Sequence, residues 1–296
     1  MDSSPRHLFG RLRTNIREYG FREAFERSAV WAANRVLAST LHRHGRTSLS
    51  ALAEAAASMH FSADELARKY LFRPNDGATL TQLHSEYDTL STELARRYNK
   101  TMTVYPRCYA IEHGSAFLLY ALVRSFKPSV VLETGVANGH SSFYILRALD
   151  ANEHGQLHSI DCSAEVGSLI SDQEKKRWQL HVLQPRGLMT NFMDIIDTLP
   201  QIDLFLHDSD HSYFWQSFEI RAVMKKLSPT GVLASDDCDG CYAFLDVCKQ
   251  TNLNPVFLVE TRKVFGLASL RQLGQTAAAD DDQRLGSPDE IRFAGV

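Results

Sequence analysis

The sequence has no long apolar run, no strong net charge and no regular spacing of cysteines. No stretch approaches the roughly 20 apolar residues that cross a bilayer, and residues 1–11 carry charges without the apolar segment of a signal peptide. The net charge of −3 gives no reason to expect a nucleic-acid partner. The five cysteines are odd in number and show no framework spacing, which predicts reduced thiols in a cytoplasmic protein.

The chain also lacks the Gly-x-Gly-x-x-Gly pattern of dinucleotide sites, but it contains a looser version of that layout. A strand predicted over Ser129–Glu133 leads into a loop bracketed by Gly135 and Gly139, and a helix predicted over Ser141–Leu149 follows. Glycines allow a sharp turn and a close approach of the ligand, while the free N–H groups at the helix start face it. Asp161 ends the next predicted strand, where a carboxylate usually accepts hydrogen bonds from both ribose hydroxyls.

An acid directly before the glycine loop helps to choose between cofactor classes. A negative Glu133 suits a ligand with a positive end and no phosphate, and S-adenosylmethionine, with its ammonium and sulfonium, fits this better than NAD. A nicotinamide-dependent oxidoreductase is therefore disfavoured. The residues predicted to bind the cofactor are Glu133, Gly135, Asn138, Gly139, Ser141, Asp161 and Asp208.

Three acids follow two later predicted strands. Asp208 comes after the fourth strand of the sheet, and Asp236 and Asp237 after the fifth. If those strands are neighbours, about 4.8 Å apart, the carboxylates converge and repel one another unless a cation or a proton lies between them. Oxygen ligands of this kind suit Mg²⁺ or Ca²⁺. Asp208 has a second interpretation as the cap of the helix that follows it.

Strands and helices alternate from residue 110 onwards, which predicts an α/β fold with a parallel sheet covered by helices on both faces. Only Thr261-Arg-Lys joins the last two predicted strands, so these must be antiparallel. The predicted division is a helical N-terminal region over 1–101, a main domain over 102–274 and a mobile tail over 275–296. The N-terminal helices are predicted over Arg11–Leu41, Leu49–Met59, Leu66–Phe72 and Leu80–Tyr98. Ser62-Ala-Asp-Glu is a capping sequence for the third of these, and Pro74-Asn-Asp-Gly is predicted to break the chain before the fourth. Another helix is predicted over Ser163–Leu169.

Two further motifs complete a resemblance. His207-Asp-Ser-Asp-His-Ser-Tyr213 follows the fourth strand and Ser235-Asp-Asp237 ends the fifth. With the glycine loop, these motifs resemble the class I S-adenosylmethionine-dependent methyltransferases, over about Ile111–Arg271. The resemblance implies a Rossmann-like methyltransferase sheet, mostly parallel with a C-terminal antiparallel hairpin, and transfer of a methyl group to a small-molecule hydroxyl.

The resemblance also implies roles for individual residues. In related metal-dependent O-methyltransferases the ligands occupy the positions of Asp208, Asp236 and Asp237, so a divalent cation such as Mg²⁺ is expected there. A lysine serves as base three residues after the first ligand in those enzymes; here the position is His211, which is expected to act as base with Asp208, or else to be a surface histidine. The N-terminal helices are expected to form a lid or a homodimer contact. The competing hypothesis is a non-catalytic protein of the same fold that binds S-adenosylmethionine.

Overall fold

The computed structural model describes residues 49–56, 58–71 and 79–270. The predictions for the first helical segment, for the Pro74-Asn-Asp-Gly break and for the tail lie outside these residues. Within them, no helix has the length and apolar character needed to cross a membrane. The cysteines, all of which fall within them, form no disulfide.

The described residues build one sheet with helices on both faces. Its strands are β1 (Ser58–His60), β2 (Val130–Thr134), β3 (Gln156–Asp161), β4 (Trp178–Val182), β5 (Ile202–His207), β6 (Leu227–Ser235), β7 (Val256–Val259) and β8 (Val264–Ser269). The helices are α1 (Leu49–Ala55), α2 (Ala63–Tyr70), α3 (Leu80–Lys100), α4 (His113–Phe126), α5 (His140–Ala151), α6 (Leu188–Thr198), α7 (Tyr213–Met224) and α8 (Ala243–Gln250). Short 3₁₀ turns cover Arg107–Tyr109 and Glu174–Arg177.

The strand order is β1-β7-β8-β6-β5-β2-β3-β4. Strand β8 pairs antiparallel with both β6 and β7, and every other pairing is parallel. The predicted mostly parallel sheet with a C-terminal antiparallel hairpin is therefore confirmed. The chain crosses from the β2–β4 half of the sheet to the β5–β8 half between β2 and β5, which are neighbours, and ligands bind outside the strand ends at such a switch point.

Burial explains the apolar runs of the central strands. All five residues of β2 are buried, because helices cover the sheet on both faces. One apolar cluster joins α2–α5 to one face of the sheet, and a second joins α6–α8 to the other. Residues of helices α2 and α3 thus belong to the same apolar cluster as those of α4 and α5.

One predicted helix is too long, and another is absent. The helix expected through Met59 stops at Ala55, and residues 58–60 form β1, which pairs in parallel with β7. The tertiary pairing overrides the local helical pattern there. Ser163–Leu169 is a loop, because Gly167 has a φ of +75° and its N–H donates to the carbonyl of Ala137, 2.8 Å away. By contrast, the cap predicted at Ser62 is confirmed, since its hydroxyl accepts from the N–H of Glu65.

Candidate active site

A cavity of about 1190 Å³ opens at the carboxyl ends of β2, β3, β5 and β6. We call the part lined by the glycine loop and Asp161 the glycine-loop end, and the part lined by the acidic residues that follow β5 and β6 the acidic end. The two parts meet where Gly135 lies against Asp208. Aromatic and apolar side chains form much of the remaining wall, among them Tyr105, Tyr109, Met189, Phe214 and Trp215.

The glycine loop approaches β5 so closely that no side chain fits on its first glycine. Gly135 has a φ of +81°, and a Cβ there would lie 2.0 Å from the carbonyl oxygen of Asp208. Gly139 has a φ of +87° and precedes α5, where a Cβ would lie 2.9 Å from Ile170. Both glycines are therefore required by the geometry of the turn.

The loop over 163–170, which replaces the predicted helix, holds the glycine loop in place. The N–H groups of Gly167 and Leu169 donate to the carbonyls of Ala137 and Asn138, at 2.8 and 3.0 Å. The side chain of Asn138 accepts from the N–H of Tyr105 and donates to its carbonyl, at 3.1 and 2.8 Å. Asn138 lines the cavity as predicted, and it also fastens the segment that carries Tyr105.

Asp161 lies where the sequence predicted, at the end of β3 and on the cavity wall. Its two carboxylate oxygens accept from the N–H groups of Val136 and Ser163, at 2.9 and 3.0 Å. Each oxygen keeps a further lone pair for a ligand hydroxyl. The carboxylate is thus fixed in position by the loop that it adjoins.

Glu133 is placed differently from the expectation that it faces the ligand. Its side chain is fully buried and does not line the cavity. Its carboxylate accepts from the hydroxyls of Ser142, Ser159 and Ser141, at 2.5, 2.6 and 3.1 Å. Burial raises the pKa of Glu133 to about 7, although the three serine hydroxyls oppose the shift. Glu133 therefore ties the start of α5 to β3 beneath the loop.

The acids that follow β5 and β6 converge at the other end of the cavity. The Nε2 atom of His211 lies 3.3 Å from Oδ2 of Asp237 and 3.7 Å from Oδ1 of Asp208. These three residues each place one ligand-type atom within 4.8 Å of the others. Asp236 is fully buried behind them.

Burial shifts the pKa values of this cluster. It raises the pKa of Asp208 well above its usual range, with the charge of Asp236 adding to the effect. It raises the pKa of Asp236 to about 6, against the lowering effect of Lys263. Burial also lowers the pKa of His211 to about 4, with His207 contributing, so the imidazole is neutral at neutral pH.

Sequence reasoning missed Lys263, which lies in the hairpin between β7 and β8. Its Nζ atom lies 2.5 Å from Oδ2 of Asp236 and 3.0 Å from Oδ2 of Asp237. Burial alone would lower the pKa of Lys263, but the carboxylates of Asp236 and Asp208 raise it overall. The only signal available was the short hairpin, which returns the chain to the end of the sheet that carries the acids.

The predicted ligand set of Asp208, Asp236 and Asp237 does not fit a divalent cation in this arrangement. Lys263 already places a positive charge against two of its three carboxylates. The three side chains that do converge are those of Asp208, His211 and Asp237, so a histidine takes the place of Asp236. Mg²⁺ prefers oxygen ligands, so this second set suits it less well.

A buried polar network supports His211 from behind. The Oε2 atom of Glu219 interacts with Nδ1 of His207 at 2.8 Å and accepts from the hydroxyls of Thr134 and Ser209, at 2.7 and 2.8 Å. The ring of His207 meets that of His211 edge-on, with the ring centroids 5.4 Å apart. The network fixes His207 and limits the positions open to His211.

Residues 132–238 match a family model described as a methyltransferase domain. The matched stretch runs from β2 past the end of β6 and includes the glycine loop and the acids of the cavity. Over this stretch the chain is similar to methyltransferase domains, and the sheet around it has the mostly parallel order with one antiparallel hairpin that the resemblance implies. The match supports an enzyme. No curated protein matches the chain.

Several solved structures resemble this methyltransferase. Cofactor-bound Rv0187 from MTB is 15% identical with a TM-score of 0.47, and the match covers 68% of this chain and 100% of that one. The O-methyltransferase TomG from Streptomyces achromogenes, in complex with SAM, is 16% identical with a TM-score of 0.47, over 71% and 96%. The Bacillus cereus O-methyltransferase in complex with SAH is 13% identical with a TM-score of 0.46, over 71% and 98%. At these values the likenesses bear on neither substrate nor mechanism.

Proposed function

We propose that this methyltransferase moves the methyl group of S-adenosylmethionine to a hydroxyl oxygen of a small molecule. The observation that carries the proposal is the neutral imidazole of His211, which lines the cavity between Asp208 and Asp237. Transfer to a hydroxyl requires removal of its proton, and a neutral imidazole within reach of the acceptor can take it.

The glycine-loop end of the cavity provides the place for the cofactor. Gly135, Asn138 and Ser141 line it, whereas Gly139 does not, and Asp161 offers its remaining lone pairs to the ribose hydroxyls. When bound, S-adenosylmethionine supplies a methyl group that its sulfonium has already activated. Asp208 follows β5 beside Gly135 and is the carboxylate that we assign to the cationic end of the cofactor. Glu133 contributes indirectly, because it holds the serines at the start of α5.

The chain's own residues supply alignment and a base. Correct alignment of two reactants accounts for about 7–11 kcal/mol of a barrier in well-oriented systems. His211 takes the acceptor proton, and the carboxylate of Asp237, 3.3 Å from Nε2, then stabilises the imidazolium. A base of this kind contributes about 10²- to 10⁴-fold in rate. No step requires a divalent cation, whose involvement stays a prediction.

The size and lining of the cavity support a small acceptor. Ligand pockets usually measure about 300–1,000 Å³, and the cavity of about 1190 Å³ has room for the cofactor and a second small molecule. Tyr105, Tyr109, Phe214 and Trp215 offer flat apolar surfaces to the body of that molecule. We therefore favour an acceptor with an aromatic or apolar body over a simple sugar.

Three further predictions concern regions beyond this site. They are a lid or homodimer contact through the N-terminal helices, a domain boundary near residue 101 and a cytoplasmic location. All three are still to be tested. Helices α2 and α3, whose residues pack in the main core, would anchor such a lid.

Labelling can test the proposed function. The protein is incubated with S-adenosylmethionine carrying a labelled methyl group and a metabolite extract, and labelled products are identified by mass spectrometry. We expect an O-methylated product that is lost in His211→Ala. The matched control is His154→Ala, because His154 is exposed and lies away from the cavity. A label on nitrogen or carbon, or no labelled product at all, would contradict the proposal.

A further inference from the structure

Lys263 is an unusual residue to find against the acids of a site that is expected to hold a divalent cation. Only 10% of its side chain is exposed, and its ammonium contacts both Asp236 and Asp237. The carboxylate of Asp236 is fully buried, and its Oδ1 atom has no hydrogen-bond partner among the described residues. The ammonium therefore supplies positive charge at a place where adjacent carboxylates require it.

The backbone around Lys263 is fixed by several contacts. Its N–H donates to Oε2 of Glu112 at 3.1 Å, and its carbonyl accepts from the N–H of Glu260 at 3.0 Å. The next residue, Val264, accepts from the N–H of Cys238 at 2.8 Å, one residue beyond Asp237. The hairpin is thus joined both to the start of α4 and to the loop that carries the acids. These contacts fix the backbone of Lys263, which limits the positions open to its side chain.

We propose that Lys263 is a built-in cation that takes the place of the divalent ion in this site, an inference that rests on the proposed function. A divalent ion shared by these carboxylates would have to lie about 2.0–2.6 Å from their oxygens. Nζ already lies 2.5 and 3.0 Å from two of those oxygens, so the ion and the ammonium compete for the same space and repel each other. Lys263 is a positioning residue, which holds Asp236 and Asp237 and, through Asp237, His211.

Two consequences separate this role from a merely structural one. The wild-type enzyme keeps its activity in chelator and binds no divalent ion in the cavity. Removing the ammonium leaves Asp208, Asp236 and Asp237 without compensating charge, so the variant acquires affinity for a divalent ion. Two unit charges about 4 Å apart interact by roughly 1–4 kcal/mol, depending on the local dielectric, and a divalent ion doubles this, so the affinity gain should be at least about 30-fold.

The test is a titration with Mn²⁺, which needs no turnover and so is independent of whether the proposed reaction is correct. Isothermal titration calorimetry compares the wild type with Lys263→Ala and with Lys249→Ala, a control at an exposed lysine on α8. We expect binding only in Lys263→Ala, and we expect Asp236→Asn in the same chain to remove it. In a parallel assay, Mn²⁺ or Mg²⁺ should restore part of the turnover lost in Lys263→Ala.

Two outcomes would overturn the proposal. The first is stoichiometric Mn²⁺ binding by the wild type together with loss of activity in chelator, which would show that the ion and the lysine coexist. The second is a folded Lys263→Ala protein that binds Mn²⁺ no better than the wild type. If Lys263→Ala does not fold, as judged by circular dichroism, Lys263→Met fills the same space without charge and replaces it. The wild-type titration and chelator assay decide the first outcome in any case.

Discussion

The two ends of the cavity differ in how their buried polar atoms are paired. At the glycine-loop end, Glu133 accepts from three serine hydroxyls and Asp161 from two backbone N–H groups. At the acidic end, three buried atoms have no partner among the described residues, namely Nε2 of His207, Nδ1 of His211 and Oδ1 of Asp236. Each unpaired buried group costs about 1–3 kcal/mol.

The polar groups at the glycine-loop end are thus fixed by other protein groups to a greater extent than those at the acidic end. Buried polar atoms in native proteins almost always find partners, so three exceptions in one small region need an explanation. We infer that the glycine-loop end is built for affinity and the acidic end for proton transfer. Substitutions at the two ends should therefore affect different measured quantities.

The largest expected effect is at the acidic end. His211→Ala should lower kcat by about 10²- to 10⁴-fold, because it removes the base. Affinity for S-adenosylmethionine should change little, since the cofactor end is untouched. Initial rates and calorimetric titration with S-adenosylmethionine measure the two quantities. A large loss of cofactor affinity with kcat preserved would reverse the assignment of the two ends.

At the glycine-loop end, Gly135→Ala should lower the free energy of unfolding by about 2–5 kcal/mol. The left-handed backbone costs a side chain about 1–2 kcal/mol, and the collision with the carbonyl of Asp208 adds about 1–3 kcal/mol. Gly187→Ala isolates the first contribution, because Gly187 has a φ of +69° but no atom within 4 Å of an added Cβ. Urea denaturation compares the two variants, and equal losses would show that the close approach is unimportant.

Glu133 should make stability depend on pH. Its folded pKa of about 7 lies above its unfolded value, so the folded state binds more protons between pH 4.5 and 7. Its contribution to stability is therefore fully present below pH 4.5 and is lost as the pH rises through 7, by roughly 3 kcal/mol. Glu133→Gln should reduce the slope by this contribution, as measured by urea denaturation from pH 5 to 8, while the raised pKa values of Asp208 and Asp236 leave a remainder.

Glu174 provides the control for that measurement. It is equally buried, but Arg97 holds its pKa below the usual range, against the effect of burial. Its contribution is lost as the pH falls, so Glu174→Gln should leave the slope near pH 7 in place. If Glu133→Gln keeps the slope as well, the serine network is not where the proton binds.

The smallest effect is expected from Asp161→Ala. Loss of a charged hydrogen-bond partner should weaken S-adenosylmethionine binding by about 1.5–3 kcal/mol. Asp150→Ala is the control, because Asp150 pairs with Arg177 away from the cavity. An unchanged Kd in Asp161→Ala would show that another residue holds the ribose.

The sequence predicted the features that depend on local chemistry and on sheet topology. The alternation of strands and helices predicted the parallel sheet. The short link Thr261-Arg-Lys predicted the antiparallel hairpin, because a connection of three residues permits no crossover. The cap at Ser62 could also be predicted, because the N–H group from which its hydroxyl accepts lies within one turn of the helix.

What the sequence did not predict depends on contacts between distant segments. Lys263 is 27 residues from Asp236, and only the antiparallel return of β8 brings the two together. The direction of Glu133 was missed because its partners, Ser142 and Ser159, belong to other elements. The residues Ser58–His60 have no strand pattern in the sequence, and they form a strand because they pair with β7.

That short strand has a consequence for any shortened form of the enzyme. By pairing with β7, β1 covers the backbone N–H and C=O groups that would otherwise form the edge of the sheet. A chain cut to begin at residue 102 would retain every acid of the cavity but would expose the apolar strand β7 along one side. Exposed edges of this kind pair with other chains. Such a fragment should therefore tend to self-associate and aggregate, even though its catalytic residues are complete.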